Sequence, residues 1–210
     1  MTKPILITLK VLTWIACLLP IAILVSDAIT NNLGPDPTKT ITFSSGKSAM
    51  CILIISLAIT PARMLWSKLS WMIKFRRLLG LFAFFYASVH LFAYIGLYAA
   101  FDTHVMIQDV LKRRFITAGV AAWLLLVPLA LTSTTGAIKR LGGKNWQRLH
   151  KLVYVAAILA IIHYWWQVKA GVTTPLVDTL WVAGLLLLRP ILTWWKSRNT
   201  PKRQPQPRPA

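Results

Sequence analysis

Apolar positions in this chain gather into six blocks, at about 9–29, 48–66, 78–100, 115–134, 151–168 and 175–195, with polar stretches between them. Each block is near the ~20 residues a helix needs to cross a ~30 Å hydrocarbon core. The pattern predicts an all-α integral membrane bundle of six transmembrane helices, filling residues 1–199 as one domain. Pro61 near the end of the second block and Pro128 in the fourth are compatible with spanning helices, because neighbours can satisfy the carbonyl that a proline frees. The segment from Asn31 to Gly46 is rich in Gly, Pro, Thr, Ser and Asn and is expected to be a loop. Residues 200–210, a basic and Pro-rich run, are expected to form a disordered cytoplasmic tail. No internal repeat stands out along the sequence.

Composition agrees with this reading. Hydrophobic residues make up 56% of the 210, with a mean hydropathy of +0.60; soluble domains sit nearer 45–50% apolar. The first block is longer than the apolar stretch of a typical signal peptide and is expected to be a retained anchor. Cys17 and Cys51 each lie inside an apolar block, so they read as small buried side chains rather than a disulfide or zinc framework. Most tryptophans fall near block ends, where they serve as interfacial anchors.

Charge then supplies orientation. The chain carries 24 Lys and Arg against 5 acidic residues, all Asp, for a formal charge of +19. Such an excess can mark a nucleic-acid binder, but here the cations sit between apolar blocks. The N-terminus, alternate loops and the C-terminus hold 18 of the 24; the other side holds only Lys39, Lys47, Lys112, Arg113, Arg114 and Lys169. The positive-inside rule therefore places both termini in the cytoplasm. All five aspartates fall on or near the opposite side.

Of the four histidines, His90 and His163 lie within apolar blocks. Ionisable groups inside membrane spans are costly and are functional candidates by default. Each lies 12 residues beyond the start of its block, counted from residues 78 and 151, which is ~18 Å along a helix. The two helices run in the same direction, so the imidazoles share a depth just beyond the midplane. Two such rings can clamp an iron porphyrin from both faces. His150 opens the fifth block, ~20 Å below His163 on one helix but ~140° away around it. It reads either as a ligand of a second, inner redox centre or as an interfacial polar residue beside Arg148 and Lys151. His104 is expected to be solvated in an outer loop.

These features resemble the MsrQ (YedZ) family, the heme-binding membrane subunits of a periplasmic protein-methionine-sulfoxide reductase, within the ferric-reductase-like transmembrane superfamily. The resemblance covers about residues 10–195. It rests on Leu33-Gly34-Pro35-Asp36-Pro37 with Gly46 as a first outer loop, Arg76-Arg77-Leu78-Leu79-Gly80-Leu81 before His90, and Leu131-Thr132-Ser133. The run from Trp146 to Tyr154, followed by His163-Tyr164 and Trp166, is its most specific part. The resemblance implies heme b, one or two per chain, with His90, His163 and His150 as iron-ligand candidates. In that superfamily stacked hemes use histidines 13 or 14 residues apart. His150 and His163 keep that spacing, whereas Arg77 and Arg76 stand where the other helix would need histidine. Arginine is a poor iron ligand; these two could hold a heme propionate or a flavin phosphate, or act only as positive-inside anchors. The family is also associated with FMN.

The expected role is a non-catalytic electron-transfer subunit in a bacterial inner membrane. Its electrons would come from quinol or a cytosolic flavin reductase, since no dinucleotide fingerprint is present. Its acceptor would be a periplasmic molybdenum-containing methionine sulfoxide reductase subunit, for repair of oxidised proteins. Nucleic acid is not an expected partner; membrane lipids are. Alternatives are a cytochrome b anchor for a different periplasmic oxidoreductase and a small proton-coupled transporter subunit.

Overall fold

The computed structural model describes residues 2–168 and 173–199. The expected tail and Lys169 fall outside the described residues. Nine α-helices are described: α1 Lys3–Ile29, α2 Pro37–Leu65, α3 Ile73–Ala93, α4 Thr103–Lys112, α5 Arg114–Leu131, α6 Thr135–Leu141, α7 Gly143–Leu149, α8 Leu152–Gln167 and α9 Thr173–Asn199. A 3-10 turn, Ser67–Met72, leads into α3, and a π turn, Tyr94–Tyr98, ends it. Six helical stretches are long and apolar enough to span a bilayer, and no strand occurs among the described residues.

Two helical hairpins form the centre: α2 packs along α3, and α5 along α8. The α9 helix lies against α2 and α8, and α1 against α2 and α3. The packed interior holds Leu53, Leu57, Phe82, Tyr86, Ala157 and Ile161, among others. Much of the apolar surface of α1 and α9 faces outward, as lipid-facing helices require. Pro20 removes one donor from the α1 ladder. One residue on, the Tyr86 hydroxyl accepts from Ile21 N–H at 3.0 Å and donates to the Cys17 carbonyl at 2.7 Å. This bridge, from a side chain 1% exposed, ties α1 to the core.

Three expectations need correction. The segment Asn31–Gly46 is a loop only as far as Asp36. There the Asp36 carboxylate caps Lys39 N–H, and Pro37, with no N–H to lose, opens α2. The hydroxyls of Thr42, Ser45 and Ser48 donate to carbonyls four residues back, so this polar-looking run is satisfied as helix. His104 belongs to the short helix α4, capped by Asp102, and not to a loop; its side chain is exposed as expected. Cys17 is buried but Cys51 is exposed; both are free thiols.

Candidate functional site

His90 on α3 and His163 on α8 face each other across the middle of the two hairpins, with ring centroids 5.8 Å apart and ring planes at 82°. The imidazole–metal bond of a first-row ion is about 2.0–2.1 Å, so two rings on opposite sides of one metal have centroids roughly 6 Å apart. The shared depth inferred from sequence is thus realised as a facing pair. Each ring is oriented by a backbone carbonyl: His90 Nδ1 lies 2.8 Å from Thr42 O, and His163 Nδ1 lies 2.6 Å from Phe115 O. A carbonyl only accepts, so Nδ1 carries the hydrogen in both rings. That leaves both Nε2 lone pairs free to ligate.

These contacts depend on two glycines that the sequence reading did not single out as site residues. A Cβ at Gly46 would stand 2.9 Å from His90 Nδ1, and one at Gly119 would stand 2.8 Å from His163 Nδ1. In a helix the residue at i+4 lies beside the carbonyl of residue i. Glycine there uncovers the Thr42 and Phe115 carbonyls to the approaching rings.

The two halves of the site are copies of one another. Thr42 and Phe115, Gly46 and Gly119, and His90 and His163 are each separated by 73 positions. The same offset relates Ala49 to Ala122, Leu53 to Leu126, Ala83 to Ala156 and Ala87 to Ala160, and all of these residues line the cavity between the hairpins. The α2–α3 and α5–α8 hairpins therefore carry one pattern of site residues twice, as parallel repeats. This corrects the expectation that no repeat is present. The signal was a Gly 44 residues before each intramembrane His.

The cavity encloses about 630 Å³, within the ~300–1,000 Å³ of small-molecule and cofactor sites. Its lining includes Leu53, Leu126 and several alanines, and its polar groups include Lys39, Lys47, Tyr94, Tyr98 and Arg113 at its mouth. The π turn brings Tyr94 and Tyr98 there. Arg113 pairs with Asp109 at 3.0 Å, and Tyr94 donates to the same carboxylate at 2.8 Å. Lys47 pairs with the buried Asp178 at 2.6 Å. Tyr164, on the cavity wall, has a buried hydroxyl with no partner among the described residues. No cluster of three or more His, Cys, Asp or Glu able to hold a bare metal occurs among the described residues. Two facing imidazoles in an apolar slot, an unanswered hydroxyl on its wall and cations at its mouth fit a planar metal macrocycle that brings its own equatorial ligands and carboxylates.

The remaining site candidates lie apart from this pair. His150 follows α7, with Nε2 3.2 Å from Thr132 Oγ1 and its ring 3.9 Å from that of Trp146. Thr132 donates its own hydrogen to Pro128 O at 2.6 Å, so His150 Nε2 is the donor and is not free to ligate in this arrangement. Arg76 is half-buried, while Arg77 points outward and is exposed. The 73-residue offset maps Arg77 onto His150, so the repeat breaks at the end of the bundle away from the cavity mouth.

Residues 43–161 match the family described as ferric reductase like transmembrane component, the class of protein that this bundle and its facing histidines define. Curated relatives named protein-methionine-sulfoxide reductase heme-binding subunit MsrQ extend the match. The protein from Herminiimonas arsenicoxydans is 47% identical, covering 94% of this chain and 92% of its own. That from Rhodospirillum rubrum is 46% identical over 85% of each, and that from Xanthomonas euvesicatoria 44% over 97% and 95%. The chain belongs to the MsrQ family. No solved structure matches it.

Proposed function

We propose that this chain is the heme-carrying membrane subunit of a protein-methionine-sulfoxide reductase and does no sulfoxide chemistry itself. The observation that carries the reading is the His90–His163 pair, with both Nδ1 atoms tied to carbonyls and both Nε2 atoms left free. Heme b, when bound, supplies a one-electron couple. His90 and His163 would hold its iron through their free Nε2 atoms. The Thr42 and Phe115 carbonyls hold each ring in one tautomer and raise the basicity of Nε2. The apolar walls would keep water from the slot, and Lys39 and Arg113 would answer the propionates at its mouth. His150 and Arg76, with Arg77 beside them, mark the inner end, where a second heme or FMN would sit.

The chain lies in a bacterial inner membrane with both termini in the cytoplasm. The distribution of 18 cations on one side against six on the other supports this orientation. Electrons enter at the cytoplasmic side, from quinol or a cytosolic flavin reductase. They leave at the outer face to a periplasmic molybdenum-containing catalytic subunit. The repeated hairpins are parallel rather than inverted, and so lack the architecture that an inverted-repeat transporter would display.

A reduced-minus-oxidised spectrum with a pyridine hemochrome assay on purified protein tests the central claim. His163→Ala and His90→Ala should each abolish the bands of the heme held between those two residues while the protein still inserts into membranes. His150→Ala should leave the bands of the His90–His163 site in place. A heme content per chain unchanged by loss of both His90 and His163 would refute the assignment.

A further inference from the structure

The two walls of the slot repeat each other around the histidines but differ in polarity. Lys47 on α2 and Tyr164 on α8 both line the cavity. The 73-residue offset maps them onto Val120 on α5 and Leu91 on α3, which line it too. The edge between α2 and α8 is therefore polar where the corresponding edge between α5 and α3 is aliphatic.

The polar residues form one cluster. Lys47 Nζ lies 6.0 Å from the centre of the Tyr164 ring and donates to both carboxylate oxygens of Asp178, at 2.8 and 2.6 Å. Asp178 belongs to α9, which packs against both α2 and α8 and closes this edge. The Phe43 ring, one helical turn before Lys47, lies 6.3 Å from that of Tyr164. The phenol is thus held against α2 by two of its side chains.

Lysine and aspartate here neutralise each other, but the Tyr164 hydroxyl is shielded from solvent and has no hydrogen-bond partner among the described residues. Buried donors are almost always satisfied, and phenylalanine would fill the same space without an unmade bond. The acceptor must then arrive with whatever fills the cavity. A b-type heme spends its ring nitrogens on iron, and its methyl and vinyl groups accept nothing. Its two propionates are the acceptors left at its rim.

We propose that Tyr164 is a cofactor-recognising residue whose hydroxyl donates to one propionate carboxylate, so that the α2–α8 edge selects a macrocycle bearing an acid. This role rests on the heme reading of the slot and adds a specificity determinant to it. A hydroxyl donating to a carboxylate makes a charge-assisted bond, stronger than a neutral one. Because Lys47 is already paired with Asp178, the discrimination at this edge falls to the phenol rather than to a free cation.

The test uses the full-length chain, native and Tyr164→Phe, each refilled with iron protoporphyrin IX or with its dimethyl ester, in which both carboxylates are capped. Heme loss to a scavenger protein is the readout. The variant should lose the diacid about tenfold faster than the native chain, the size expected for one charge-assisted hydrogen bond. The two chains should lose the diester at the same rate. The midpoint potential of the diacid form should also fall in the variant, because a carboxylate without its donor keeps more negative charge beside ferric iron; that of the diester form should not move. A hydroxyl that only packs would change diacid and diester alike, and that result, or no change in either, would overturn the proposal. Heme bands with no such discrimination sink this role alone. Failure of the native chain to take up either porphyrin would sink the heme reading as well.

Discussion

Gly46 and Gly119 let two imidazoles lie flat against neighbouring helices and reach carbonyls that a methyl group would cover. Alanine at either position would stand under 3 Å from a ring nitrogen, so the ring must turn away and lose its orienting hydrogen bond. Loss of such outer-shell support costs about 10–100-fold in metal affinity. Gly46→Ala and Gly119→Ala should each lower heme affinity by that order, measured by heme loss to a scavenger protein; the helical content by circular dichroism should be unchanged. The histidines themselves were legible in the sequence, because an ionisable residue in an apolar block is rare enough to be noticed. The glycines were not, because a helical glycine says nothing until its partner across the interface is known. His150 was legible only as an open choice. Its bond to Thr132 depends on a turn between α7 and α8 that spacing does not reveal.

Between elements, the ion pair of Lys47 with Asp178 joins α2 to α9 inside the bundle. Asp178 is 4% exposed, and a buried charge stripped of its partner destabilises by about 3–5 kcal/mol. Lys47→Met should therefore lower the thermal midpoint of the purified protein sharply. Asp178→Asn should cost less, because the Lys47 side chain keeps 31% exposure and some hydration. Replacing both, as Lys47→Met with Asp178→Leu, should recover most of the loss; differential scanning fluorimetry of the four proteins checks the ordering. The six spans themselves were readable from apolar length alone. The N-terminal part of α2 was not. Its Thr, Ser and Gly residues have loop-like composition, and only the i−4 bonds of its hydroxyls and its contact with the His90 ring reveal why it is helix. That hidden part of α2 carries Thr42 and Gly46, so the missed residues and the missed helix have one cause.

Across the whole molecule, most of the identities the two hairpins share lie where they face the cavity. Even on that face some pairs have diverged, Thr42 against Phe115 and Met50 against Trp123, and beyond it Arg77 stands opposite His150. A repeat kept on one helix face leaves widely spaced matches in the sequence, which is why the folded arrangement was needed to see it. The same economy has a consequence for the proposed ligand. Heme b is lopsided: its vinyl groups break the symmetry about the meso axis that runs between its propionates. Facing walls that share Gly, Ala, Leu and His at matched positions would give such a porphyrin similar surroundings whichever way over it enters. Two orientational isomers should therefore coexist in comparable amounts, visible as doubled hyperfine-shifted methyl resonances in the proton NMR spectrum of the ferric protein. A single set of resonances would mean that the few unmatched wall residues, Met50 against Trp123 foremost, select one side of the ring.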